Sequence, residues 1–174
     1  MSREAALLVM LAAAVVLLGL MAWGWWRRSR RDAGFTAPAG GIPDGARVLA
    51  EFPGLYVATT VHDAPLERLA VRGLGFRARG LVVVTDAGVL LDLTGSPSVF
   101  LDLARITDVG QSTVAIDRVV ERDGLTRISW RTDATATGSA VVDSYFRPQE
   151  ASARALAAAI GPLLPSATPT GTQG

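Results

Sequence analysis

The hydrophobic pattern begins with one continuous apolar run near the N-terminus. From Ala5 to Trp26 the chain carries no charged residue, and Leu, Val, Ala and Met fill most positions. A helix over 5–26, rising about 1.5 Å per residue, spans about 33 Å, enough to cross a hydrocarbon core of about 30 Å. The pattern therefore predicts one transmembrane helix at 5–26, through which the chain contacts the lipid bilayer.

The residues that end the apolar run predict its orientation. This membrane flank comprises Trp25, Trp26, Arg27, Arg28, Arg30 and Arg31. Trp favours the headgroup layer, and a run that stops against several arginines is typical of a retained helix rather than of a cleaved signal peptide. Four arginines follow the helix and only Arg3 precedes it. The positive-inside rule therefore predicts a single-pass protein of the cytoplasmic membrane, with its N-terminus outside and the rest in the cytoplasm.

Composition divides the remainder into three parts. Residues 27–46 contain the basic flank and then a Gly-, Ala- and Pro-rich stretch without an apolar period, which is typical of a flexible linker. Residues 47–164 contain recurring apolar runs and are predicted to form one folded domain. The polar residues 165–174 are predicted to be a disordered tail.

Within 47–164 the apolar positions favour short β-strands separated by turns. Strands are predicted at Leu55–Val61, Ala78–Thr85, Val89–Leu93, Val99–Leu103, Ile106–Val109, Val114–Glu121, Leu125–Arg131 and Ala140–Phe146. Turns are predicted at Asp86-Ala87-Gly88 and Arg122-Asp123-Gly124, because Asp and Gly accept the backbone angles of tight turns. Ile128 and Trp130 alternate with Arg127, Ser129 and Arg131, so Trp130 is expected to face the core.

The period then changes to that of a helix. Pro148 can occupy a first helical position, Glu150 suits the first turn, and Leu156 and Ile160 follow at helical spacing. Gly161-Pro162 is expected to stop or distort this helix. The order of elements is therefore mainly antiparallel β, followed by one amphipathic helix.

Two segments carry a resemblance to a known family. LVVVTDAGVLLDLTG (81–95) continues into VFLDLARITDV (99–109), and this run of strand, T-D-x-G turn and strand resembles the first half of pleckstrin-homology (PH)-like domains. The chain is also similar to membrane-anchored PH-like proteins of high-GC bacteria. This similarity rests on residues 54–80, on the helix upstream of them, and on Phe146-Arg147 at the end of the last strand. The resemblance covers nearly all of 47–164. It implies a bent antiparallel sandwich or partly open barrel, closed by a C-terminal α-helix.

The amino-acid composition of the chain argues against several classes of function. All 17 basic residues are Arg, which is typical of a GC-rich genome, and 16 acidic residues nearly cancel them, so no global field would attract nucleic acid. The absence of Cys excludes disulfides, thiolate metal sites and cysteine nucleophiles. The only histidine, His62, stands beside Asp63 without a recognisable nucleophile motif and is interpreted as a turn residue. We therefore expect no enzyme, no catalytic residue, no metal site and no cofactor.

Arg72, Arg77 and Arg79 are the candidate ligand-binding residues. Arg77 and Arg79 are expected on one face of a strand, with Phe76 and Ala78 on the other. The PH resemblance implies that a basic-x-basic pattern here could hold a phosphorylated headgroup, which Arg suits because its planar fork donates two hydrogen bonds. The all-Arg composition and the nearby acids favour a solvated face instead.

Two functional hypotheses follow. The first is a tethered interaction module that binds a protein partner at the cytoplasmic membrane face, through a strand edge or the groove near the C-terminal helix. The alternative is a module that binds anionic lipid headgroups or phosphate through the first-loop arginines. The partner is not identified by the sequence.

Overall fold

The computed structural model describes residues 3–32, 35–69, 71, 73–115, 118–119, 124–132 and 139–165. The chain divides into two compact units, Met1–Gly34 and Phe35–Gly174. The boundary therefore lies at residue 35, whereas the sequence placed the start of the domain at residue 47.

The first unit is one long helix, α1 (Arg3–Asp32). Its segment Leu7–Arg27 is long and apolar enough to cross a membrane, and none of this segment is buried. The prediction of one such N-terminal helix is confirmed. The helix continues through Arg27 to Asp32, so the basic flank prolongs it rather than opening a linker. The Arg27 guanidinium lies 5.7 Å from the centre of the Trp23 ring, within cation–π range.

The second unit is built mainly from β-strands. They are β1 (Val48–Val61), β2 (Ala64–Arg68), β3 (Ala78–Thr85), β4 (Gly88–Leu93), β5 (Val99–Asp102), β6 (Ile106–Ser112), β7 (Val114–Ala115), β8 (Arg118–Val119), β9 (Leu125–Arg131) and β10 (Val141–Pro148). The helix α2 (Ala153–Ile160) follows, and a 3-10 turn (Gly161–Leu163) completes the described elements.

Eight strands form one antiparallel sheet in the order β5-β4-β3-β1-β10-β9-β6, with β2 paired to β1. β7 and β8 form a separate hairpin. The central strand β1 pairs with β3 over Val48–Tyr56 and with β10 over Gly54–Val61. The predicted mainly β architecture with a C-terminal helix is confirmed.

The helix α2 packs its apolar side on the sheet, where Leu156 and Ile160 are fully buried. The predicted start at Pro148 is wrong, because Pro148 is the last residue of β10 and pairs with Gly54. The helix begins at Ala153 instead, with Ser152 as its N-cap. The Ser152 Oγ accepts a hydrogen bond of 3.1 Å from the Ala155 N–H. The α-helix ends at Ile160 before Gly161-Pro162, as predicted.

The segment predicted as a flexible linker also differs. Phe35 and Ala37 pack against the core, and Ala39 bridges to Val99 of β5. Two further backbone hydrogen bonds join this segment to β5, from Gly40 N to Ser98 O (3.2 Å) and from Phe100 N to Pro38 O (3.3 Å). Residues 38–40 therefore cover the outer edge of β5.

The strand predictions vary in accuracy. Ala78–Thr85 and Leu125–Arg131 are confirmed residue for residue. β1 begins at Val48 instead of Leu55 and continues through Pro53 and Gly54, and β2 was not predicted. Residues 116–117, 120–123 and 166–174 lie outside the described residues. The predicted strand Val114–Glu121 is therefore described only in part, and most of the turn Arg122-Asp123-Gly124 and of the tail not at all.

A chain of hydrogen bonds runs through the core from Trp130, which is fully buried. Its Nε1 donates to Ser144 Oγ (2.9 Å), and Ser144 Oγ lies 2.7 Å from Thr59 Oγ1. Thr59 Oγ1 lies 2.8 Å from the Tyr56 hydroxyl, which donates to the carbonyl oxygen of Leu74 (2.7 Å). The Trp130 N–H at one end can only donate, and the Leu74 carbonyl oxygen at the other end can only accept. Each hydroxyl between them therefore accepts a hydrogen bond from the previous group and donates one to the next.

We expect Trp130→Ala to lower the free energy of unfolding by about 3–5 kcal/mol, because it leaves a large cavity and removes the hydrogen-bond donor to Ser144 Oγ. The neighbouring Arg131 is exposed, so Arg131→Ala should cost less than about 0.5 kcal/mol. Chemical denaturation of a fragment spanning 35–174, followed by circular dichroism, measures both. Equal effects would contradict the inward orientation of Trp130.

Candidate functional site

The predicted arginine site is only partly described, because Arg72 lies outside the described residues. Arg79 lies in β3 and Arg77 precedes that strand, and both side chains are exposed. Neither guanidinium has a hydrogen bond or ion pair within the described part of the chain. Both are therefore available to an anion.

A third arginine joins Arg79 on the same face of the sheet. Leu55 of β1 pairs with Arg79 on one side and with Arg147 of β10 on the other. Directly opposed residues of antiparallel strands share a face, so Arg79, Leu55 and Arg147 form a row, here called the basic row. Sequence analysis noted Arg147 only as the end of a strand, because its proximity to Arg79 depends on long-range pairing.

The protein surface along the basic row has only shallow depressions. A depression of about 360 Å³ is lined by Arg79, Asp92 and Gln149, among others, and one of about 300 Å³ by Leu55, Arg147 and Gln149. Asp92 accepts a hydrogen bond of 2.9 Å from Ser98 Oγ. Its carboxylate lies on the border of the row and opposes anion binding there.

Phe76 is a large hydrophobic residue near the arginines that is 87% exposed. It was expected on the opposite face of a strand from Arg77 and Arg79. Phe76 precedes the first residue of β3, so the alternation of strand side chains does not apply to it. An exposed aromatic ring beside Arg77 is the combination that suits a headgroup layer or an apolar partner.

The second candidate surface is the outer edge of β6. β6 is the last strand of the sheet, and no other described strand pairs with its outer edge. Four half-buried apolar residues of β6, of α2 and of the segment after α2 pack against the core. They are Val109, Ala159, Leu163 and Leu164, here called the apolar strip. A Cβ placed on Gly161 would lie 3.9 Å from Val109 Cγ1, so the end of α2 lies against this strand.

The third candidate is a cluster around His62. His62 Nδ1 lies 2.9 Å from Asp143 Oδ1, and His62 Nε2 lies 3.5 Å from Asp63 Oδ2. The Asp143 side chain is only 1% exposed. It accepts hydrogen bonds from Ser129 Oγ (2.6 Å) and from the Asp63 N–H (3.3 Å). His62 lies in a turn, as sequence analysis expected. Its contact with Asp143 was not predicted, because Asp143 lies 81 positions further along the chain.

This cluster is not arranged as a nucleophilic triad. The buried Ser129 donates to Asp143 and not to His62, and no hydroxyl of the described residues hydrogen-bonds to the imidazole. Burial raises the pKa of the nearby Tyr145; the Thr60 side chain opposes this rise, and Asp143 adds to it. The phenol is therefore neutral near pH 7.

The family described as bacterial PH domain-like matches residues 35–160, well over half of the chain. The chain belongs to this bacterial PH domain-like family. The matched range begins at Phe35, the first residue of the second unit. Family membership agrees with the PH-like resemblance and with the order of strands and helix.

Solved structures give a weaker likeness. One is the C-terminal domain of an unknown protein from Leishmania infantum, at 12% identity and a TM-score of 0.41, with 82% of this chain and 97% of that chain covered. Another belongs to the 8S snRNP assembly intermediate, at 11% identity and a TM-score of 0.44, with coverages of 78% and 97%. No curated protein matches the chain.

Proposed function

We propose that this chain is a membrane-anchored, non-enzymatic PH-like module that binds a protein partner at the cytoplasmic face of the membrane. The α1 helix would span the bilayer with its N-terminus outside. The second unit would lie in the cytoplasm and present the outer edge of β6 to the partner.

The exposed apolar surface of α1 supports the anchor. Side chains from Leu7 to Trp26 remain exposed, and Leu8, Met10 and Trp25 are among the most exposed. Removing apolar surface from water is favourable by about 25 cal/mol per Å². Leaving the apolar side chains of this helix in contact with water is therefore unfavourable. A bilayer would cover it, with the tryptophans and Arg27 at the headgroup layer.

The position of β6 at the end of the sheet, with no further strand paired to it among the described residues, is the observation that carries the partner proposal. An extended segment of another protein can add to such an edge through backbone hydrogen bonds, while adjacent pockets select its side chains. The apolar strip supplies a surface for such side chains beside the edge. At the opposite end of the sheet residues 38–40 already cover β5, so that edge does not offer the same opportunity.

Exposure of Phe76 favours a second candidate function, the binding of anionic lipid. The Phe76 ring would enter the headgroup layer while the unpaired Arg77 and Arg79 contact phosphates. Arg147 lies in the same row as Arg79 and would add a third cation. The border carboxylate of Asp92 weighs against this candidate.

The orientation is tested with single cysteines, since the natural chain has none. We expect Ser2→Cys to react with a membrane-impermeant thiol reagent in intact cells once any outer barrier is passed. We expect Ser166→Cys to react only after the membrane is permeabilised. The reverse labelling pattern would place the domain outside.

The partner surface is tested by a photo-reactive amino acid placed in the full-length protein in its native membrane. At position 111, in place of the exposed Gln111 of β6, we expect a discrete protein adduct. At the exposed control position of Glu51 we expect none. Adding Leu163→Asp, which places a charge in the apolar strip, should reduce the adduct at 111 at least several-fold. Equal yields at 111 and 51 would contradict the proposal.

Lipid binding is tested with the 35–174 fragment and vesicles containing phosphatidylglycerol. We expect weak binding, because α1 already supplies the membrane address. If headgroups are the ligand, the fragment should bind these vesicles strongly, and the double variant Arg77→Ala/Arg79→Ala should not bind. Binding should also weaken as salt is added, because surface charges are screened over about 10 Å at 0.1 M. The matched control is Arg131→Ala/Arg154→Ala, which removes two other exposed arginines. Strong binding with this selectivity would replace the partner proposal.

A further inference from the structure

The His62 ring lies between two carboxylates, and its hydrogen bonds determine which nitrogen carries a proton. Asp143 already accepts from Ser129 at Oδ1 and from the Asp63 N–H at Oδ2. An ionised carboxylate only accepts, so the proton in the 2.9 Å contact belongs to His62 Nδ1. In the neutral ring Nε2 then carries a lone pair.

A second carboxylate lies near this nitrogen. His62 Nε2 and Asp63 Oδ2 are 3.5 Å apart, longer than the 2.7–3.2 Å typical of an N–H···O hydrogen bond. Two acceptors in this position repel each other unless a positive charge lies between them. A proton on Nε2 or a bound metal ion would supply that charge.

The distance agrees with the spacing of metal ligands. Two atoms each about 2.1 Å from a tetrahedral zinc ion lie about 3.4 Å apart. Ligating atoms of His62, Asp63 and Asp143 all lie within 4.8 Å of one another. The two outer groups are accessible, since the His62 side chain is 39% exposed and that of Asp63 is 78% exposed.

We propose that His62 and Asp63 bind a divalent transition-metal ion, represented by Zn²⁺, with Asp143 positioning the imidazole. The His62 Nε2 atom and the Asp63 carboxylate are the ligands. The buried Asp143 holds the Nδ1 proton, which orients the ring and raises the basicity of Nε2, as carboxylates behind metal-bound histidines do. Imidazole together with carboxylate favours zinc and related ions over Mg²⁺ and Ca²⁺, which prefer oxygen ligands.

Open space lies next to two of the three residues of the cluster, Asp63 and Asp143. A pocket of about 340 Å³ is lined by Asp63, Asp143, Gln111 and Tyr145, among others, and is large enough for water or an incoming carboxylate. Arg127 also lines this pocket, but its guanidinium pairs with Asp108 at 2.6 Å, which offsets its charge. The site therefore provides two ligands and leaves positions for exchangeable ones.

The test uses the full-length protein in detergent after treatment with a chelator. His62 is the only histidine, so the ring ¹⁵N resonances in an NMR spectrum belong to it alone. Stoichiometric Zn²⁺ should shift the Nε2 resonance, whereas Mg²⁺ at the same concentration should not. Calorimetry should give one zinc ion per chain.

Variants at the exposed ligands complete the test. We expect His62→Gln to abolish calorimetric binding and Asp63→Asn to weaken it at least about tenfold. Glu51→Gln, which removes an exposed carboxylate elsewhere, should leave it unchanged. Unshifted His62 resonances at millimolar Zn²⁺ would overturn the proposal, as would affinity that survives both ligand variants. A ring protonated on both nitrogens at neutral pH and unresponsive to zinc would show that a proton fills the gap. The wild-type spectrum decides this even if a variant fails to fold.

Discussion

The buried hydrogen-bond chain from Trp130 through Ser144, Thr59 and Tyr56 to the carbonyl of Leu74 holds three strands and the loop before β3 together. Every hydroxyl in it accepts one bond and donates one, so none is left unpaired in the core. In a low-dielectric interior such a chain stabilises the fold only while it is complete, because a missing member leaves a neighbour unsatisfied. It also explains why a segment without regular structure is buried at Leu74.

The same register determines the His62 cluster. Thr59 pairs with Ser144 and Thr60 pairs with Asp143, so successive residues of β10 serve opposite faces of the sheet. Ser144 joins the core chain, and Asp143 turns outward to His62. A slip of one residue between β1 and β10 would exchange these faces, placing a carboxylate in the core and removing the support of the imidazole. The core and the proposed metal site therefore depend on one strand pairing.

Sequence reasoning succeeded where the signal is local. The long apolar run identified α1, a short apolar run before a turn identified Ala78–Thr85, and alternation identified Leu125–Arg131. It failed where long-range pairing overrides local composition: Pro53 and Gly54 lie within β1, and the Gly- and Pro-rich segment at 38–40 is held by β5. For the sites, Arg77 and Arg79 could be put forward as candidates because they are close together in the sequence. The contributions of Arg147 and Asp143 depend on β10 pairing with β1, which no local pattern reveals.

The treatment of the two sheet edges bears on function. An open edge invites unwanted pairing, and proteins usually cover or charge it. Here residues 38–40 cover β5, whereas β6 has no partner strand among the described residues, and the exposed Asp108 and its bulge are the modest protection it carries. If α1 anchors the domain as proposed, the domain would meet membrane partners at a raised local concentration, and a weak backbone contact at this edge would be sufficient for association. The depressions along the basic row are shallow, so the described surface offers such a contact more readily than a deep ligand pocket.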